Sequence, residues 1–431
     1  MGLEWLGVLP TRLVRQVKRI SISCLCTNQP RLNDHFSQTQ PEKLILLMMT
    51  LLHLLITVGA SVSTPALTIK SPDGDAIDCI DIYNQPAFSN PLLKNHELQE
   101  FPTEMPNLEI AAETPNWQVW HTTGEKCPPR TIPIRRSANI SHAKYPKPYY
   151  KSLAEATRGH MYAIGFIKNR GPIYGTRATL NVWEPLVEAA NDFSLSQVWL
   201  ASGSFANGDI NTVEAGWQIC PERYHDHQPR LFTFWTRDSY NNTGCYSTHC
   251  GGFVQTSSTI ALEAAITRSS TSGGPQFDIT IQIWKDQSTG NWWLGLGRNM
   301  ELVGYWPAAI FTGLADHANA VEWGGEVLSQ NSTGANTIVR MGSGEFAEKG
   351  FRKAAYVCDI LVAENNQTLV PVQDFGVQAR FPKYYSVKRS QTKACGKHFY
   401  FGGPGHTRSG AVRGTLARAL LLLYLAFFLC V

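Results

Sequence analysis

Apolar and polar positions along this chain fall into two rhythms. From about residue 150 onward, short runs rich in β-branched and aromatic residues recur: GTRATLNVW, FSLSQVWLAS, LFTFWT, FDITIQIW and NTIVRM. Several alternate with a period of two, and Gly, Asn and Asp separate them, a pattern that predicts antiparallel strands joined by turns. FDITIQIW is the clearest instance. Phe277, Ile279, Ile281 and Ile283 fall on one side and Asp278, Thr280 and Gln282 on the other, which predicts a half-buried strand. Helical periodicity is scarce; PAAIFTGLADHANAV leaves room for a short helix after Pro307. GLGRNM and GSGEF do not join a strand to a helix, so they are turns and not phosphate cradles. The expected class is all-β, with residues 150–405 forming an antiparallel β-sandwich.

Before this unit the texture is different. Residues 66–136 are rich in Pro, Asn and acids, and proline repeatedly interrupts any helical period, so short strands and turns are expected. Arg135-Arg136 followed by SANISHAKYPK is expected to be an exposed hinge, either a processing site or a solvated linker. Residues 44–57, LILLMMTLLHLLIT, are an apolar run preceded by Lys43 and followed by small residues, the three-part pattern of a secretory signal over 44–65. The run is shorter than the roughly 20 residues that span a membrane comfortably. An atypical extension, 1–43, precedes it. At the other end, 406–431 closes in the apolar LLLLYLAFFLCV, which is either a GPI-attachment signal or the product of an incorrect gene model.

A chain of 431 residues with 12 Trp, 15 Tyr and 19 Phe can bury a sizeable core beside an accessory segment. The formal charge is +4, with both signs interspersed, which gives no nucleic-acid footprint. Secretion permits disulfides; Cys245 and Cys250 are close enough to close a small loop, and Cys79 with Cys127 would staple the accessory segment. N-glycosylation sequons stand at Asn139, Asn241, Asn331 and Asn366. The expected location is therefore extracellular, with membrane attachment only if the tail is a GPI signal.

The sequence has no GxSxG elbow, no HExxH and no four-ligand zinc spacing, so no metal and no cofactor are expected. His225, Asp226 and His227 form a local cluster whose simplest explanation is an exposed loop. More suggestive are acids embedded in apolar sequence: Glu214 in NTVEAGWQIC, and Glu322 and Glu326 in AVEWGGEV. A carboxylate in such surroundings must be bonded, paired or protonated, and two that converge divide into one protonated and one ionised group. That division suits acid catalysis beside water activation, in a protease or a glycosidase alike. A strand-edge or structural hydrogen bond is the competing explanation. Trp217, Trp235, Tyr305, Trp306 and Trp323 are candidates for a groove that holds an extended polymer, or for core. Gly324 and Gly325 allow close chain approach beside Glu326.

At these residues the chain closely resembles the plant neprosin family. The resemblance rests, in order, on FSLSQVWLASG, NTVEAGWQICPERYHD, RLFTFWTRDSYNNTGCYSTHC, GGFVQTSS, FDITIQIWKDQSTGNWWLGLG, VGYWPAAIF, VEWGGEV, MGSGEF and HFYFGGPG. The preceding DGDAIDCIDIYNQPAF, PLLKNH and CPPRTIPIRR resemble that family's activation peptide. The resemblance implies a secreted glutamic endopeptidase of β-sandwich fold that cleaves after proline in acid. It makes Glu214 and Glu326 the catalytic pair, with Glu322 as the alternative to the second. It implies proline-containing peptide or protein substrates, and an activation peptide, 66–136, that covers the cleft until acid or cleavage releases it. After HFYFGGPG the family's short cysteine-bearing finish is replaced, leaving five cysteines between 220 and 395. A non-catalytic carbohydrate-binding or cell-wall protein using the aromatic groove is the alternative.

Overall fold

In a computed structural model, residues 64–104, 117–136, 159–329, 338–364 and 368–406 are described. The extension 1–43, the apolar run 44–57, the sequons at Asn139, Asn331 and Asn366 and the tail from 407 lie outside them.

The strands, in chain order, are β1 (Leu67–Lys70), β2 (Ala76–Asp81), β3 (Thr131–Arg135), β4 (His160–Asn181), β5 (Phe193–Ser202), β6 (Asn211–Ile219), β7 (Arg230–Thr236), β8 (Cys245–Tyr246), β9 (Val254–Gln255), β10 (Asp278–Lys285), β11 (Trp292–Leu296), β12 (Glu301–Trp306), β13 (Ala318–Leu328), β14 (Ala355–Glu364), β15 (Val370–Pro371), β16 (Gly376–Ala379), β17 (Ser386–Thr392) and β18 (Gly396–Gly402). Strands β1–β3 form one small antiparallel sheet, and the others form one continuous, curled antiparallel sheet.

The curl turns on β4. Its first half pairs with β13 on one edge and β16 on the other; its second half pairs with β10 and β14. Between them Asn169 and Gly171 adopt positive φ, a kink that lets one strand serve two layers. The first layer is β8-β7-β6-β5-β13-β4 and the second continues β4-β10-β11-β12-β9. Alternation then fills the space between. Val213, Ala215, Trp217 and Ile219 of β6 and Val321 and Trp323 of β13 meet Ile281 and Ile283 of β10 and Trp292 and Leu294 of β11 in one buried cluster. The chain is thus an all-β, antiparallel sandwich.

Three expectations change. FDITIQIW alternates as foreseen, but β10 is buried on both faces: Thr280 bonds Thr179, and Trp284 lies beneath the N-terminal segment. The stretch after Pro307 forms two 3₁₀ turns, Ala308–Ile310 and Gly313–Ala315, because the carbonyls of Leu314 and Ala315 accept from Trp292 Nε1 and Lys285 Nζ instead of closing helical bonds. The described part of NTIVRM, residues 338–341, contributes isolated bridges, Val187 to Val339 and Met341 to Gly403.

The N-terminal segment docks through its own small core. Ile69, Ile77, Trp120 and the Cys79–Cys127 disulfide pack with Ala261 and Ala264. Its 3₁₀ turns place Ala87 and Phe88 on Val254, Trp284, Trp293 and Tyr305, the outer face of the second layer. Arg135 is not part of an exposed hinge: it ends β3 and pairs at 2.8 Å with Asp75, both largely buried. Cys245–Cys250 and Cys358–Cys395 are also disulfides, the latter not anticipated from sequence; among the described residues Cys220 carries none.

Candidate active site

On the first layer, the face turned away from the core carries the unusual polar groups. The alternation that sends Val213, Ala215 and Trp217 inward turns Thr212, Glu214, Gly216 and Gln218 outward. On β5, Gln197 shares that outer face with Leu195 and Trp199; on β13 so do Glu322 and Glu326; on β4, His160 and Tyr162.

Strand register converts these positions into a constellation. Glu214 lies opposite Trp199 and Glu326 opposite Leu195, so the Gln197 side chain falls diagonally between them. Gln197 Nε2 donates to Glu214 Oε2 at 3.1 Å and lies 3.5 Å from Glu326 Oε2. Glu214 Oε1 also accepts from Thr212 Oγ1 at 2.7 Å and from the Tyr240 hydroxyl at 2.9 Å. Glu326 Oε1 is 2.5 Å from His160 Nδ1, and the Tyr162 hydroxyl bonds the same carboxylate. Both acids are nearly inaccessible, 5% for Glu214 and 6% for Glu326.

Glycine makes room for this packing. A Cβ on Gly216 would lie 2.1 Å from the Ser196 carbonyl and 2.6 Å from Gln197 Cα, so only glycine lets β6 approach Gln197. Gly324 has φ +129, and a Cβ there would meet the Ala163 carbonyl at 2.6 Å; at Gly325 it would meet Phe401 and Met341.

Electrostatics separate the two acids. Burial pushes Glu214 up to about 7, with the Glu326 charge adding to the rise against the bonds from Thr212, Tyr240 and Gln197. Burial, followed by the neighbouring glutamates, also holds the Tyr162 and Tyr240 hydroxyls well above their ordinary range, so both remain donors. Glu214 is thus surrounded by neutral donors, whereas Glu326 faces an imidazole.

Glu322 does not join this pair. Four residues along β13 from Glu326, about 13 Å at strand spacing, it forms an ion pair with Lys168. The candidate groove aromatics are core: Trp217, Trp306 and Trp323 are fully buried and Trp235 nearly so. Their indoles anchor to the interior, Trp217 Nε1 on the Asn181 carbonyl and Trp323 Nε1 on Thr176. Tyr305 lies beneath the N-terminal segment, its hydroxyl bonded to His96 and Gln99. The aromatics that do flank the acids are others. Tyr162 meets Trp199 at 6.5 Å, and Tyr240 stacks between Phe234 at 5.8 Å and the more exposed Phe205 at 6.1 Å. Asp226 pairs with Arg230, which also binds Asp75 at 2.6 Å. No group of three or more His, Cys, Asp or Glu among the described residues is arranged to hold a metal.

Sequence reasoning had no purchase on His160, Tyr162, Gln197, Thr212 or Tyr240. Gln197 alone left a trace, as an amide on the otherwise apolar side of FSLSQVWLAS.

Among the described residues, the N-terminal segment meets the outer face of the second layer through Ala87 and Phe88, Ala261 and Ala264 through its own small core, and Arg230 through Asp75; Arg230 stands opposite Gln218, on the same face of the first layer as Glu214.

Two family descriptions match this chain: Neprosin over residues 190–404 and Neprosin activation peptide over residues 68–164. Among solved structures it is similar to scytalido-glutamic peptidase with a peptide-based transition-state analogue, at 12% identity over 56% of this chain and 97% of that one, TM-score 0.30. It is also similar to the same peptidase with a transition-state analogue inhibitor, at 10% identity over 57% and 98%, TM-score 0.32. A third is SCP-B, a member of the eqolisin family of peptidases in a complex with the tripeptide Ala-Ile-His, at 12% identity over 56% and 96%, TM-score 0.29.

Proposed function

Because the chain belongs to the neprosin family, matched over both its activation peptide and the domain that follows, we propose that it is a glutamic endopeptidase, made as a secreted zymogen, that cleaves after proline in acid. The observation that carries this reading is the buried bridge Glu214–Gln197–Glu326, two carboxyls held by one amide at 3.1 and 3.5 Å.

The chemistry follows from the unequal surroundings of the pair. Glu214, raised to about 7, is the protonated member in acid. Glu326 takes the proton of a water as its oxygen attacks the scissile carbonyl carbon, and Glu214 protonates the carbonyl oxygen as the C=O π bond opens. Collapse of the tetrahedral carbon returns the oxygen's proton to Glu214 and breaks the C–N bond, while Glu326 passes its proton to the leaving amine. Both carboxyls end in the states in which they began. Phe205 and Tyr240, stacked beside Glu214, offer flat faces of the kind a proline ring packs against. The disulfides and the signal-like run 44–57 support passage through an oxidising secretory compartment.

The test is cleavage of a proline-containing peptide library by secreted, processed protein between pH 3 and 8, with Glu214→Gln and Glu326→Gln in parallel. We expect cleavage after proline, confined to acid and reduced roughly 10³-fold or more in each variant. Folded parent protein that cleaves nothing would refute the enzymatic reading; full activity in either variant would refute the pair.

A further inference from the structure

The two acids differ most in one neighbour that the proposed mechanism has not used. His160 is the first residue of β4 and lies opposite Leu328, one strand position pair beyond Tyr162 and Glu326. Its ring is held on two sides, stacked on Tyr162 at 6.3 Å and 16° and edge-on to Phe193 at 5.8 Å and 70°. The side chain is 16% exposed, and its Nδ1 is 2.5 Å from Glu326 Oε1. The other oxygen, Oε2, turns toward Gln197 and Glu214.

We propose that His160 is a positioning residue, which pins Oε1 of Glu326 and so presents Oε2, on the Glu214 side, as the atom that takes the proton of the attacking water. This rests on the peptidase reading above. A carboxylate has two equivalent oxygens and a rotatable terminal torsion; binding one of them to a ring that packing has already oriented removes that freedom at little entropic cost. The arrangement also divides the pair. Glu214 receives only hydroxyl and amide donors, from Thr212, Tyr240 and Gln197, whereas Glu326 receives a group that is a double N–H donor when charged. The titratable groups facing this pair are Tyr162 from β4, Glu214 from β6, Tyr240 from the turn after β7 and Tyr246 from β8. Lys168 and Glu322, farther along β4 and β13, bind each other. No other cationic side chain is bonded to Glu214 or Glu326 among the described residues, so the imidazole is the group that can match the base's charge.

The variants His160→Phe and His160→Asn separate this role from packing. Phe keeps a ring between Tyr162 and Phe193 but has no donor; Asn carries an N–H near the place of Nδ1 but no charge. In acid, His160→Phe should lower kcat about 100-fold with KM within about twofold, and His160→Asn should recover part of the loss. His160→Phe with the parent's kcat would overturn the proposal. A readout independent of turnover is the Nδ1 proton of His160 in histidine-labelled protein at acid pH, assigned by its absence in His160→Asn. It should be hydrogen-bonded and downfield in the parent and lost in Glu326→Gln. If the parent cleaves no peptide, the peptidase reading fails and the positioning role fails with it; the resonance then decides only whether the pairing exists, and its persistence in Glu326→Gln overturns the pairing as well.

Discussion

Glu214 and Glu326 are equally buried and joined through one amide, and what distinguishes them is the charge their neighbours can carry. That distinction has a consequence for stability. The folded-state value of Glu214, about 7, lies above its unfolded value of 4.5, so the folded state holds this proton more tightly. The resulting contribution is complete below about 4.5 and is lost as pH rises through about 7. Glu214→Gln, which keeps the shape and removes the titration, should therefore raise the unfolding free energy relative to the parent at pH 8, by roughly 2–4 kcal/mol. At pH 4 the two should differ little. Thermal denaturation at both pH values checks the sign. Gly216 is the second sensitive position, since a methyl there is 2.1 Å from the Ser196 carbonyl. Gly216→Ala should displace Gln197 and β6, costing about 1–3 kcal/mol of stability and about 100-fold in kcat; denaturant unfolding and peptide kinetics measure the two losses separately.

Among the elements, β4 and the N-terminal segment do the arranging. One 22-residue strand enters the first layer beside Glu326 and leaves in the second beside β10, so the kink at Asn169–Gly171 couples the site to the whole sandwich. The N-terminal segment is fastened to the second layer by polar clasps as well as apolar contact. Asp286 accepts from Thr103 and Gln99, and Gln85 and Gln255 bond each other. Burial raises Asp286, but the bonds from Thr103 and Gln99 outweigh it and hold the carboxyl below its ordinary range. A depressed carboxyl stabilises above its unfolded value and ceases to do so as pH falls through the folded one. Asp286→Asn should accordingly increase hydrogen exchange in the turns at 82–93 at pH 7, by about 1–3 kcal/mol of opening free energy, and the difference should vanish in strong acid.

For the molecule as a unit, one outer face displays the paired acids, the other seats the turns at 82–93, and the core between them is continuous. The Cys79–Cys127 link closes a loop of 48 residues within that segment, worth about 4 kcal/mol on chain-entropy grounds. Replacing both cysteines with serine should raise exchange throughout β1–β3 and leave β5, β6 and β13 protected, because the disulfide belongs to the segment's own small core with Ile69, Ile77 and Trp120. Loss of protection in all of them together would show instead that the segment and the sandwich unfold as one.

Periodicity alone was enough for the class of fold, the strands β5, β7 and β10 and the second half of β4, and local composition for the two acids in apolar surroundings, because both are properties of neighbouring residues. The same information could not say which face of a strand meets solvent. Trp217 and Trp323 are as compatible with a groove as with a core until the second layer covers them, and FDITIQIW has a polar side until the N-terminal segment lies over it. Nor could it choose between Glu322 and Glu326, four residues apart on one side of β13. That choice belongs to register: Glu326 comes opposite Leu195 and Tyr162, within reach of Gln197 and His160, while Glu322 comes opposite Phe166 and within reach of Lys168. Local pattern therefore decides which residues are unusual, and only pairing between strands 17 to 166 positions apart in the chain decides which of them meet.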